Sequence, residues 1–186
     1  MNTVRKFNVI VAACDNGGIG YKDALPWSLK GDMKQFASLT TKTSDQQKKN
    51  AVVMGRKTWF AIPEKHRPLK NRINVVISGT LSELKPPCYV AGSVEDALML
   101  LSSSPLSVQV ENVWMIGGER VYNFAMESAQ LDRVYFTRIF GNFECDAFFP
   151  TDKLQKLELV SDPTVPDADQ EENGLKYRYE ILQTSK

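Results

Sequence analysis

The sequence predicts an α/β protein built on a largely parallel sheet with helices packed over it. Short, unbroken apolar runs alternate with segments of helical spacing, as expected when most strands are buried on both faces. Strand-like runs end in glycine and lead directly into helix-like segments at Gly55 and at Gly117-Gly118. The runs at 156–161 and 175–183 instead alternate polar and apolar residues, the pattern of half-exposed antiparallel strands.

FNVIVAA (7–13) is the expected first and central strand. Gly17, Gly18 and Gly20 follow it. Gly18 and Gly20 supply the first pair of a G-x-G-x-x-G turn, but Asp23 occupies the third place and Leu25-Pro26-Trp27 follow, so this is not a dinucleotide fingerprint. A mobile glycine-bearing loop is expected there, with a lid over a site as its functional version. A helix should start after Pro26. Counted from Leu29, its inward positions are Leu29, Asp32, Met33, Phe36 and Leu39 or Thr40, and its outward ones Lys30, Lys34, Gln35 and Ser38. The polar stretch 40–50 reads as a loop.

AVVMG (51–55), INVVIS (73–78), CYVA (88–91) and NVWMI (112–116) read as buried strands, and LDRVYFTRI (131–139) as a longer one. A helical turn is expected at 56–61, and helices at 93–101, with Ser93 as N-cap, and at 119–127. The acidic, proline-bearing stretch 161–174 reads as a loop excursion within one domain.

The 186 residues suit one domain with a full core, and the balance of 42% hydrophobic to 24% charged residues is that of an ordinary globular protein. A net charge of +1 argues against an extended nucleic-acid surface. Cys14, Cys88 and Cys145 are widely spaced and form no CxxC pair, so neither a zinc site nor a redox pair is indicated, and no metal is expected. Free thiols fit a reducing compartment. MNTVRKFNVI lacks a signal-peptide core, and no run approaches a membrane span, so a cytoplasmic protein is expected.

Asp32 is the one proton donor that stands out. A carboxyl among Leu, Met and Phe holds its proton to higher pH, which a general acid in a dry cleft needs. In the first turn of a helix it also simply complements the helix dipole, and both readings stand at this point. Arg56, Lys57 and Thr58 at a helix start make either a phosphate site or a solvated basic turn. Gly117-Gly118 would let backbone approach a ligand at a second helix start, although such turns are commonplace. Two junctions of this kind would place two anion sites along the carboxyl edge of the sheet, a layout that matches a dinucleotide carrying a further phosphate. His66, the sole histidine, reads as an exposed loop residue, and no Ser/His/Asp or Cys/His set can be assembled.

IGYKDALPW (19–27) with Asp32 five residues after Trp27, then VVMGRKTW, IPEKHRPLKNRINVVIS, MIGGERVY, VYFTRI and CDAFFP, together resemble dihydrofolate reductase over nearly the whole chain, animal members above all. The resemblance implies a single domain, 1–186, with an eight-stranded, mostly parallel sheet, an antiparallel C-terminal strand and about four helices. It also implies reduction of dihydrofolate by NADPH in one-carbon metabolism, antifolate binding and a monomeric state. On this resemblance Asp32 is the pterin-binding acid, Thr137 the hydroxyl backing it, and Trp27 the residue ordering a nearby water. Ile10, Ala12, Met33, Phe36, Ile62, Leu69 and Ile116 would pack the pterin and aminobenzoyl rings. Arg72 would pair with the α-carboxylate of the glutamate tail. Ala12, Ile19 and Tyr122 would surround the nicotinamide, with Gly20 and Gly117 also on the cofactor side. Lys57, Thr58, Gly118, Arg120 and Val121 would cradle the pyrophosphate, and Arg56 and Ser78 would meet the 2′-phosphate.

The chain departs from that pattern in places. Vertebrate members carry Glu one residue farther from the Trp, Met33 replaces an aromatic, and Gly79 and Gly92 stand where vertebrate enzymes have arginines. Preference for NADPH therefore leans on Arg56. The rival readings are a related reductase acting on a pyrimidine ribose intermediate and a dinucleotide-binding module without turnover. Asp32 and Arg72 speak against the first, and the full set of acid, threonine and arginine against the second.

Overall fold

FNVIVAAC forms the first strand, β1 (Phe7–Cys14), which lies between two parallel neighbours and sends alternate residues into separate core clusters on its two faces. The computed structural model describes residues 4–185. Residues 1–3, which open the stretch read as lacking a leader, and residue 186 lie outside them. A largely buried character also marks β3 (Lys49–Gly55), β4 (Arg72–Ile77) and β6 (Val110–Met115), which with β5 (Cys88–Ala91) extend the parallel sheet on one side of β1. On the other side stands β7 (Leu131–Ile139), also parallel to β1. Beyond it β11 (Leu175–Thr184) runs antiparallel, followed by β10 (Gln170–Glu172). The order is β10-β11-β7-β1-β6-β3-β4-β5, and β9 (Leu157–Val160) also pairs with β11. An eight-strand path, mostly parallel with an antiparallel C-terminal portion, is the architecture expected.

The helices α1 (Lys30–Thr41), α2 (Arg56–Ala61), α3 (Val94–Leu101) and α5 (Glu119–Glu127) stand at the expected places, and a single turn, α4 (Leu106–Gln109), was not foreseen. Ser93 caps α3 by accepting from the Asp96 N–H at 3.0 Å. Phe7, Phe136, Met54, Leu101 and Met115 are among the fully buried side chains, each contributing about 1.5–3 kcal/mol by leaving water.

Three local expectations need correction. Residues 18–20 are not a free loop: they form β2 (Gly18–Gly20), paired with β8 (Ala147–Phe148) and held by Asp146 N–H to Gly20 at 2.9 Å and Phe149 N–H to Gly17 at 2.9 Å. The excursion 161–174 contains β10, which folds back on β11 through the two-residue turn Asn173-Gly174; its polar residues leave no apolar run, and the Asn-Gly turn is the local mark of the hairpin. Met33 is not turned into the core but is 54% exposed, because that face of α1 looks into a cleft.

Asn50 is a fully buried amide that fixes the end of α1 against the sheet. Its Nδ2 donates to the Thr40 and Lys42 carbonyls at 3.0 and 2.8 Å, and its Oδ1 accepts from the Asn112 N–H at 3.1 Å. Thr40 Oγ1 in turn accepts from Arg72 Nη1 at 2.9 Å, so one amide ties helix, sheet and a cleft-lining arginine together. Asn50→Ala strands these buried groups and should lower stability by about 3 kcal/mol, read as a reduced urea midpoint.

Candidate active site

At the carboxyl ends of β1, β3, β4, β6 and β7 the sheet opens into a cleft of about 1480 Å³. This is the edge at which open α/β sheets bind ligands. Every proposed site residue except Trp27 lines it. Trp27 is buried edge-to-face against Phe143 at 5.4 Å, and it lines a neighbouring depression of about 390 Å³ that shares Asp32 and Met33 with the cleft.

Asp32 enters from the first turn of α1 and accepts a hydrogen bond from Thr137 Oγ1 at 2.8 Å. The strand ladder sets Thr137: it is in register with Ala12 of β1 and Tyr179 of β11. Burial pushes the Asp32 carboxyl above the ordinary aspartate range; the Thr137 hydroxyl opposes this, and the charge of Glu172 adds to it. No cation is paired with Asp32 among the described residues. Tyr122, buried beneath the cleft, donates to the Ile10 carbonyl at 2.8 Å, and its phenol is pushed up by burial and then by Asp32. Burial likewise pushes Tyr179 up, with Asp32 a further cause.

At another part of the cleft stands Arg72, only 7% exposed. Its Nε donates to the Lys70 carbonyl and its Nη1 to Thr40 Oγ1, both at 2.9 Å, while Nη2 donates to no protein group among the described residues. Burial depresses the guanidinium pKa, and the group has no carboxylate partner among those residues. A desolvated cation lacking a counter-charge is costly and calls for an anion from outside. Phe36, Ile62 and Leu69 line the cleft as well, and the Phe36 ring lies 6.0 Å from the Arg72 guanidinium.

Two helix starts face the remaining part. α2 opens with Arg56, Lys57 and Thr58, and α5 begins at Gly118 with no side-chain cap. Gly117 has φ +117°, and its carbonyl accepts from the Gly55 N–H at 2.8 Å, which joins the two junctions. A Cβ on Gly117 would lie 3.2 Å from the Tyr122 ring, and one on Gly118 would lie 3.4 Å from Thr58 Oγ1. Glycine is what lets backbone line the cleft here. Arg120, Val121, Ser78, Ile116, Ile19 and Gly20 complete this side. Ser78 Oγ already accepts from the Thr80 and Leu81 N–H groups, at 3.1 and 3.0 Å.

Sequence reasoning missed several lining residues. His66 is exposed, as expected, yet stands on the wall of the cleft, and Tyr179 and Tyr135 line it too. The alternation of β11 carries a signal for Tyr179, whereas nothing local marks His66.

The dihydrofolate reductase family model matches residues 6–184. The chain belongs to the dihydrofolate reductase family. A dihydrofolate reductase of Gallus gallus is 46% identical over 185 residues, 98% of each chain, and one of Aedes albopictus is 44% identical over 182 residues, 97% of this chain and 98% of that one. The solved structure of Schistosoma mansoni dihydrofolate reductase superposes with a TM-score of 0.88 at 39% identity, covering 98% of this chain and all of that one. As a dihydrofolate reductase family member the protein is an oxidoreductase that uses a nicotinamide cofactor.

The raised Asp32 pKa makes this reductase less stable than its fold allows. The unfolded chain releases the Asp32 proton at the ordinary value and the folded chain only at a higher pH, so stability falls as pH rises between the two. Asp32→Asn should therefore raise the urea midpoint at neutral pH, with the gain shrinking below the ordinary aspartate range.

Proposed function

We propose that the enzyme reduces 7,8-dihydrofolate to 5,6,7,8-tetrahydrofolate with NADPH, supplying one-carbon metabolism, and that it works as a cytoplasmic monomer whose cleft also accepts antifolates. The observation that carries the substrate is the pairing, in one cleft, of a buried acid at Asp32, its pKa raised by burial, with a buried guanidinium at Arg72 that has no carboxylate partner among the described residues. A pterin presents an amino group and a ring nitrogen to the first, and the glutamate tail presents a carboxylate to the second. The apolar residues Ile10, Phe36, Ile62, Leu69 and Ile116 suit the rings between them, with Met33 at the exposed rim.

The cofactor side fits a dinucleotide. Gly117 and Gly118 keep side chains out of the cradle, α5 offers backbone N–H groups, and Lys57, Thr58, Arg120 and Val121 would hold the pyrophosphate. Ala12, Ile19, Gly20 and Tyr122 would bound the nicotinamide. Arg56 is exposed and has no ion-pair partner among the described residues, which suits a 2′-phosphate, with Ser78 beside it. Gly79 and Gly92 line the same end and contribute no charge.

The reduced nicotinamide, when bound, supplies a hydride to the imine carbon of the substrate. The protein's task is the proton that must reach the adjacent nitrogen. Thr137 fixes the Asp32 carboxyl against the pterin edge, Trp27 lines the depression beside it, and burial raises the Asp32 pKa above the ordinary aspartate range, the direction a proton donor needs. The acid delivers it directly or through a water.

Asp32→Asn should slow single-turnover hydride transfer by about a hundred- to ten-thousandfold near neutral pH, the usual range for a positioned acid. The loss should shrink in acid, where solvent protonates more of the substrate. A mutant as fast as the parent would reduce Asp32 to a residue of the helix dipole.

Arg56→Ala should weaken NADPH about ten- to a hundredfold and leave NADH nearly unchanged, measured by titrating each cofactor. Equal losses would place the 2′-phosphate elsewhere.

A further inference from the structure

Helix α1 starts without a cap of its own: Leu29 stands at the N-cap and offers no side-chain acceptor. The open N–H groups of Lys30 and Gly31 donate instead to Glu172, at 2.7 Å to Oε2 and 2.9 Å to Oε1. Glu172 lies 142 residues away from Lys30, at the end of β10. The turn after it, Asn173-Gly174, has φ +51° and +76°, values suited to a tight hairpin into β11, which anchors the carboxylate.

Gly31 is what admits this contact. A Cβ there would stand 2.6 Å from Tyr177 Oη and 3.3 Å from Glu172 Oε1. The next residue is Asp32. From the first turn of α1, Asp32 would ordinarily be favoured as an anion by the positive end of the helix. A carboxylate already seated on those N–H groups cancels that field and adds a negative charge beside the acid.

We propose that Glu172 is a positioning residue for the Asp32 acid, acting through the first turn of α1 to set where the carboxyl stands and how readily it gives up its proton. The proposal rests on the reading of Asp32 given above.

The other groups around Asp32 do not confuse its titration. Tyr122 of α5 and Tyr177 and Tyr179 of β11 are all pushed up by burial and stay neutral through the working range. Thr137 of β7 contributes a neutral hydroxyl. Glu172 itself is held below the ordinary glutamate range, first by the Gly31 and Lys30 N–H groups and then by the charges of Lys30 and Lys34, so it stays an anion throughout. Its charge acts to raise the Asp32 pKa.

The test is single-turnover hydride transfer at saturating substrate and cofactor across pH, for the parent, Glu172→Gln and Asp32→Asn. Glu172→Gln keeps the size and one acceptor but removes the charge. The alkaline fall in rate should move to lower pH by roughly half a unit, about threefold in rate on the falling limb, with the acid plateau kept within about twofold. Raising salt from about 0.1 to 1 M shortens the Debye length from about 10 to 3 Å and should move the parent's fall the same way while leaving the Glu172→Gln fall in place. That arm uses the intact protein and does not depend on the variant folding well. A fall that stays put in both arms, or a variant that loses only plateau rate, overturns the proposal and leaves Glu172 as a structural cap. If Asp32→Asn keeps the parent's alkaline fall, it is the reading of Asp32 that fails.

Discussion

The hydrogen bond from Thr137 to Asp32 is the contact on which the site depends. It joins residues 105 positions apart and ties a helix to the sheet that it covers. Because Thr137 is in register with Ala12 on one side and Tyr179 on the other, the place of the carboxyl is inherited from three hydrogen-bonded strands. The choice of partner matters as much as the distance. An arginine or lysine there would hold the carboxylate ionised, whereas a hydroxyl orients it and only partly offsets the pull of burial.

Three charged groups of the cleft stand without an ion-pair partner among the described residues. Among the described residues Asp32 has no cation paired to it, and Arg72 and Arg56 have no carboxylate, although Arg178 pairs with Asp169 at the surface and Arg138 with Glu180 at the cleft's edge. Left to stability alone, a buried acid and a buried base would be paired or replaced by apolar residues. Their separation leaves each free for a ligand group, and the cost is borne by the rest of the fold. The Asn50 amide and the parallel strands of the core hold α1 and Arg72 in place whether or not anything is bound.

Much of the fold was legible because its strands are buried on both faces and leave continuous apolar runs, as in AVVMG and INVVIS. Most of the candidate cleft lining was legible because its residues travel in short ordered motifs. Part of what escaped was written in no local pattern: Gly18–Gly20 is a strand only because Ala147–Phe148 lies beside it. Gln170–Glu172 did carry a local mark, the Asn173-Gly174 turn that folds it onto Leu175–Tyr177, but its polar residues gave no apolar run to read. Met33 satisfies the helical count for an inward residue, but periodicity cannot tell a face that meets a core from one that meets a cleft. The cap on α1 was beyond reach for the same reason: nothing near Leu29 announces that its acceptor comes from the far end of the chain.

That long reach has a consequence for how the molecule is made. The site draws on β1 and on Glu172 and Tyr179, which leave a ribosome well over a hundred residues after it. A growing chain can pair β1 with β6 and later with β7, but until the final hairpin emerges it has neither the clamp on α1 nor the strand beside Thr137. A partly made or C-terminally clipped chain can therefore possess most of the sheet and still lack an ordered acid. Because its contacts are so widely separated in sequence, the site is assembled late, and its presence reports that synthesis has passed β11.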